Sequence, residues 1–110
     1  MAGVVHVAWY ATALRGDKLA EALAEVTALS VRYGATSYAV HRSQDDRYKL
    51  LQTVAFDSHE EWEAFWYGPD MTRMRAVTSS WYQVPLTYVW HDVVVEGTGP
   101  TNGANGVEAA

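Results

Sequence analysis

Three features of this 110-residue chain predict an α+β domain with the element order βαββααβ. Stretches of alternating apolar character stand near both ends and as a pair in the middle, the period-two signature of strands. A long stretch with apolar residues at spacings of three and four follows the first of them and reads as an amphipathic helix. A capping sequence opens a second, aromatic-rich helical stretch after the central pair.

The first strand is "GVVHVAWYA", with Val5, Val7 and Trp9 on one face and Val4, His6, Ala8 and Tyr10 on the other. Neither face is fully polar, so both are expected to be at least partly covered. In "GDKLAEALAEVTALSVRYG", Asp17 is placed to cap the helix and Gly34 to end it in a left-handed turn. Leu19, Leu23, Val26, Leu29 and Tyr33 form its apolar stripe, with Lys18, Glu21 and Glu25 off it. "ATSYAVHR" and "YKLLQTVAF" are two strands joined through the turn-forming "SQDD" as an antiparallel hairpin.

"SHEEWEAFW" begins with Ser58 and Glu61 at the spacing of a capping box, which leaves Trp62, Phe65 and Trp66 on one helical face. Gly68-Pro69 breaks this helix, and Pro69 suits the first turn of the next, through "DMTRMRAVTSSWY", where Met71, Met74 and Thr78 share a face. "QVPLTYVWHDVVVE" reads as a last strand of roughly 40 Å, long enough for part of it to reach a partner. Pro85 marks its entry or an edge position. Residues 1–96 thus form one ferredoxin-like domain, a four-stranded antiparallel sheet with helices on one face. The glycine-rich segment 97–110 is expected to be a flexible tail. The free face of the sheet needs cover, and pairing with a second copy is one way to supply it.

Composition narrows the function. Hydrophobic residues at 49% and charged residues at 19% describe an ordinary globular domain. A net charge of -5 without a basic cluster argues against nucleic acid as a partner. No apolar run reaches the ~18 residues of a membrane span, and no basic region precedes the apolar N-terminal stretch, so neither a membrane nor a secretory signal is expected. The lack of cysteine excludes disulfide and thiol chemistry, and the whole fits a cytoplasmic protein. Five Trp and seven Tyr are a heavy load for this length, because each aromatic ring buries ~150–250 Å². Self-association or a small aromatic ligand is therefore expected.

The helix end "ALSVRYGATSY", the hairpin "VHRSQDDRYKLLQTVAF" and the acidic, aromatic helix "SHEEWEAFW" resemble the antibiotic biosynthesis monooxygenase family, over residues 4 to about 95. The resemblance implies a dimeric α+β barrel, a homodimer joined through the sheet face, with a ligand cleft in each subunit between sheet and helices. It also implies chemistry ranging from cofactor-free, quinone-forming oxygenation to heme degradation. The heme-degrading members carry an Asn on the first strand, a helix Trp and a His about ten residues later. Trp66 matches the Trp, but the Asn position falls near Trp9 and the His position at Ala76, so no imidazole is present to ligate iron.

No cofactor and no metal are expected. His6, His41, His59 and His91 are too widely spaced for a helical metal pair. His6 and His91 lie on strands that neighbour each other in this topology and so could meet, but two ligands fall short of a zinc site. His59 falls in the capping turn and is expected to be exposed. No nucleophile–His–acid set or phosphate loop is visible, so catalytic residues are left unassigned. The expected pocket lining is Trp9, Trp66, Met74, Arg75 and Tyr82, with Arg75 placed to hold a phenolate or carboxylate. The leading reading is a protein that binds, and oxygenates without a cofactor, an aromatic or polyketide-like compound. In its rival, a non-enzymatic binding or assembly module, the same aromatics are all core and interface.

Overall fold

The computed structural model describes residues 2–100. Strand β1 (Gly3–Tyr10) leads into helix α1 (Gly16–Ala28), which tightens into a 3₁₀ segment over Leu29–Tyr33. Strands β2 (Ser37–Arg42) and β3 (Lys49–Phe56) follow, then helices α2 (His59–Trp66) and α3 (Pro69–Val77) and strand β4 (Tyr88–His91). The four strands make one antiparallel sheet in the order β2-β3-β1-β4, the ferredoxin-like arrangement.

Register decides what each face carries, because directly paired residues point the same way. Val5, Val7 and Trp9 pair with Val54, Gln52 and Leu50 and are buried under the helices. Their cover is the apolar side of the helices: Leu19, Leu23 and Val26 of α1, Trp62, Phe65 and Trp66 of α2, Met71 and Met74 of α3. Burial of each such side chain contributes about 1.5–3 kcal/mol. The opposite face carries Val4, His6, Ala8 and Tyr10 of β1, with Lys49, Leu51, Thr53 and Ala55 of β3. Ser37, Ala39 and His41 of β2 and Val89 and His91 of β4 complete it. Ala8, Tyr10, His41, Val89 and His91 are exposed there.

Local signals act largely as the sequence predicts. Gly34 has φ 104°, a left-handed conformation that favours glycine at the helix end, and the Glu61 carboxylate fills the space where a Cβ would stand. Ser43 Oγ accepts from the N–H groups of Asp45 and Asp46 at 3.2 and 3.0 Å and shapes the hairpin turn. Ser58 Oγ accepts from Glu61 N at 3.2 Å. The reciprocal half of the capping box differs: Glu61 turns toward Gly34, and its Oε1 is buried without a hydrogen-bond partner.

Three expectations are corrected. Asp17 does not cap α1. It lies inside the first turn, and its Oδ1 accepts from Arg42 Nη1 at 2.7 Å, a bond that holds its carboxyl below the ordinary value. Helix α3 stops at Val77, and the segment through Tyr82 leaves the helical path because the end of β1 captures it. Thr12 N donates to Trp81 O and Gln83 N to Tyr10 O, both at 2.9 Å. The last strand has four residues instead of fourteen. Its pairing ends with His91 opposite Val4, one residue short of the start of β1, so Asp92–Glu96 find no strand to pair with and are exposed. Most of the tail expectation, residues 101–110, lies outside the described residues.

Candidate functional site

The five residues expected to line a pocket come together beneath the helices. β1 delivers Trp9, the end of α2 delivers Trp66, and α3 delivers Met74 and Arg75. Tyr82 is held at the end of β1 by its bridge to Ala11. Tyr82 meets Trp9 edge-on at 4.9 Å between ring centroids, and Trp66 lies 6.3 Å from Trp9. The Arg75 guanidinium sits 4.5 Å from the Trp66 ring centroid, with Nη2 donating to Trp66 O at 2.7 Å. The phenol of Tyr82 donates to Arg75 O at 3.4 Å. Underneath, Trp9 Nε1 donates to Gln52 Oε1 at 3.1 Å, and Gln52 Nε2 donates to Thr27 Oγ1 at 2.8 Å.

This cluster is a packed body. Trp9, Trp66, Met74 and Tyr82 are each at most 9% exposed. Burial pushes the Arg75 guanidinium below its ordinary value, while the phenols of Tyr82 and Tyr67 pull it back up. The group starts so high that it stays charged. One donor at the cluster, Arg75 Nη1, is buried without an acceptor. Such a group costs free energy until something accepts from it.

A groove of about 520 Å³ runs along the outer side of the cluster between α1 and α3. Val26, Leu29, Met74, Val77 and Trp81 give it apolar walls, and Glu25, Asp70, Lys18 and Arg73 give it a charged rim. Lys18 Nζ lies 5.7 Å from the Trp81 ring centroid. Asp70 Oδ2 accepts from the Tyr33 phenol at 2.8 Å, which ties the start of α3 to the 3₁₀ segment. Of the five expected residues only Met74 lines this groove; Trp9, Trp66 and Tyr82 belong to the packed core behind it, with Arg75 laid on Trp66. Sequence reasoning missed the groove because Lys18 and Glu25 read as a solvated helix side and Trp81 as part of a helix. The available signal was Val77, an apolar residue off the buried face of α3 and 68% exposed.

His6 and His91 do meet, with ring centroids 4.0 Å apart, on the face of the sheet away from the cluster. His59, exposed as expected, stacks on Trp90 at 4.0 Å. Among the described residues no group of three or more His, Cys, Asp or Glu could hold a metal ion. At Ala76, where the heme-degrading pattern has its His, this chain has no imidazole, and Arg75 lies over the ring of Trp66. Among the described residues no helix is long and apolar enough to cross a membrane.

No protein-family model and no curated protein match the chain. Solved structures do. One from Nitrosomonas europaea, provisionally described as an antibiotic biosynthesis monooxygenase, superposes with a TM-score of 0.76 at 17% identity, covering 84% of this chain and 90% of that one. Another so described, from Deinococcus radiodurans, gives 0.73 at 16% identity, covering 90% and 100%. A variant of SnoaB, a cofactor-independent oxygenase from Streptomyces nogalater, gives 0.72 at 8% identity, covering 86% and 95%. The chain therefore has the fold of these monooxygenase-like proteins, as the sequence resemblance implies. At these identities the likeness is one of fold.

Proposed function

We propose that the protein binds a flat aromatic or polyketide-like compound in the groove between α1 and α3, and that its sheet face is covered by a second copy. The groove itself carries the ligand reading: about 520 Å³, apolar within and charged at the rim, is the size and character of a small-molecule site. The dimer reading is supported by a face on which Ala8, Tyr10 and Val89 stand exposed beside half-buried Val4, Leu51 and Ala55. The reaction class we infer, from the fold shared with a cofactor-independent oxygenase, is conversion of an activated CH₂ and O₂ to a carbonyl and water. The substrate itself supplies the electrons in such a reaction. The protein's contribution is to orient it and keep water away. A second reading, binding without turnover, is favoured by the close packing of Trp9, Trp66 and Tyr82, which leaves those side chains at most 9% exposed.

The binding test uses 1,4-dihydroxynaphthalene as a probe, titrated without oxygen by tryptophan fluorescence, and turnover is tested separately by oxygen uptake with anthrone, whose CH₂ is activated between two aryl rings. Saturable quenching is expected. Ala22→Trp, which fills the groove from α1, is expected to weaken binding at least about tenfold, or 1.4 kcal/mol, with an unchanged circular dichroism spectrum. Unaltered binding in that variant would remove the groove as the site. Oxygen uptake by anthrone above its own rate in protein-free buffer supports turnover, and its absence supports the binding module.

A further inference from the structure

The sheet face away from the helices has an unusual charge inventory. On β1 it carries Val4, His6, Ala8 and Tyr10, and on β3 Lys49, Leu51, Thr53 and Ala55. On β2 it carries Ser37, Ala39 and His41, and on β4 Val89 and His91. No strand residue of the face is a carboxylate. Asp46 in the hairpin turn accepts from the Tyr10 phenol at 2.9 Å, and Asp57 and Glu96 stand at the edge of the face in a recess shared with Ser37 and Ala55; none of them bears on His6, which feels burial and His91 alone. Every titratable nitrogen on the face is thus a base: three imidazoles and Lys49.

His6 and His91 occupy adjacent strands, β1 and β4, with ring centroids only 4.0 Å apart and planes tilted by 36°. Two neutral imidazoles accept this contact. Two imidazolium ions at that separation repel, and no carboxylate on the face offsets them. A second copy laid on the face removes water from the pair and sets four such rings within one interface.

We propose that the His6–His91 pair makes pairing of the sheet faces pH-sensitive, so that the dimer holds while both rings are neutral and loosens when they are protonated. The inference rests on the reading that a second copy covers this face. The direction follows from linkage. Burial first, and His91 second, lower the pKa of His6 from its ordinary value of 6.5. A histidine with a lowered pKa takes no proton in either state well above 6.5 and so costs nothing there. As pH falls below 6.5, the wetter pair of a separated chain binds protons before the drier pair of a dimer, and the dimer loses stability progressively. The two rings stay together within each separated chain, but separation returns water to them and makes protonation less costly, so acid favours monomers.

Overall charge pulls the other way, which makes the effect separable. The chain carries -5 at neutral pH and approaches its isoelectric point near 5.2 on acidification. Loss of net repulsion alone would tighten association there.

Sedimentation equilibrium of the full chain at about pH 7.5 and about pH 5 tests the proposal. The expected result is a dimer at the higher pH and a dissociation constant at least about tenfold weaker at the lower, the equivalent of about 1.4 kcal/mol. A double variant, His6→Gln with His91→Gln, is expected to stay dimeric at the higher pH and to lose the acid weakening. Monomers at both pH values would overturn the face-pairing reading itself. A wild-type dimer of equal or greater affinity at the lower pH would overturn the switch while leaving the pairing intact. Retained acid weakening in the double variant would move the sensor away from this pair.

Discussion

Trp9→Ala is expected to lower the unfolding free energy by about 3–5 kcal/mol, the largest loss of any single substitution considered for this fold. The ring is 2% exposed and touches both Trp66 and Tyr82, so truncation opens a cavity where β1, α2 and the segment after α3 converge. It also strands Gln52, whose Oε1 accepts from Trp9 Nε1 and whose Nε2 donates to Thr27. A buried acceptor left without its donor adds to the cost of the cavity. Trp9→Phe keeps most of the volume and loses the donor, so it is expected to fall between the two. Urea unfolding followed by circular dichroism measures both. A Trp9→Ala loss under about 1 kcal/mol would mean that the cluster is far looser than its packing implies.

Ala8→Glu is expected to abolish pairing of the sheet faces, raising the dissociation constant by roughly a hundredfold or more, the effect of an unpaired buried charge costing several kcal/mol. Ala8 lies on β1, an inner strand of the sheet, and its side chain is exposed in the single chain. The carboxylate therefore stays solvated in the monomer and leaves its fold intact. In a dimer built on this face two such carboxylates lose water together, and the neighbouring His6, His41 and Lys49 offset only part of that cost. Light scattering on the variant is expected to report a monomer with an unchanged circular dichroism spectrum. A dimer of wild-type affinity would mean that the copies meet through some other surface.

What the sequence discloses and what it hides divide on physical grounds. The two faces of β1 are legible in "VVHVAWY" because side chains on a strand alternate, and the structure buries Val5, Val7 and Trp9 as that alternation requires. The stripe of α1 and the Trp62/Phe65/Trp66 face of α2 are legible for the same kind of reason. The extent of β4 is not, since it depends on where β1 begins and so on a partner more than eighty residues away in sequence. Asp17 has the right chemistry for a cap, but Arg42, brought up by the hairpin, takes its carboxylate instead. The meeting of His6 and His91 was within reach, because topology alone makes their strands neighbours. The groove was not: Lys18, Val77 and Trp81 share it only through the angle at which α1 and α3 pack.

The claim that this groove receives an aromatic ligand is tested most directly by residue-resolved NMR of the ¹⁵N-labelled protein titrated with 1,4-dihydroxynaphthalene. The account expects saturable shifts centred on Ala22, Val26, Met74, Val77 and the indole of Trp81. Shifts confined to the open sheet face around Ala8, Leu51 and Val89, or no saturable shift at all, would contradict it.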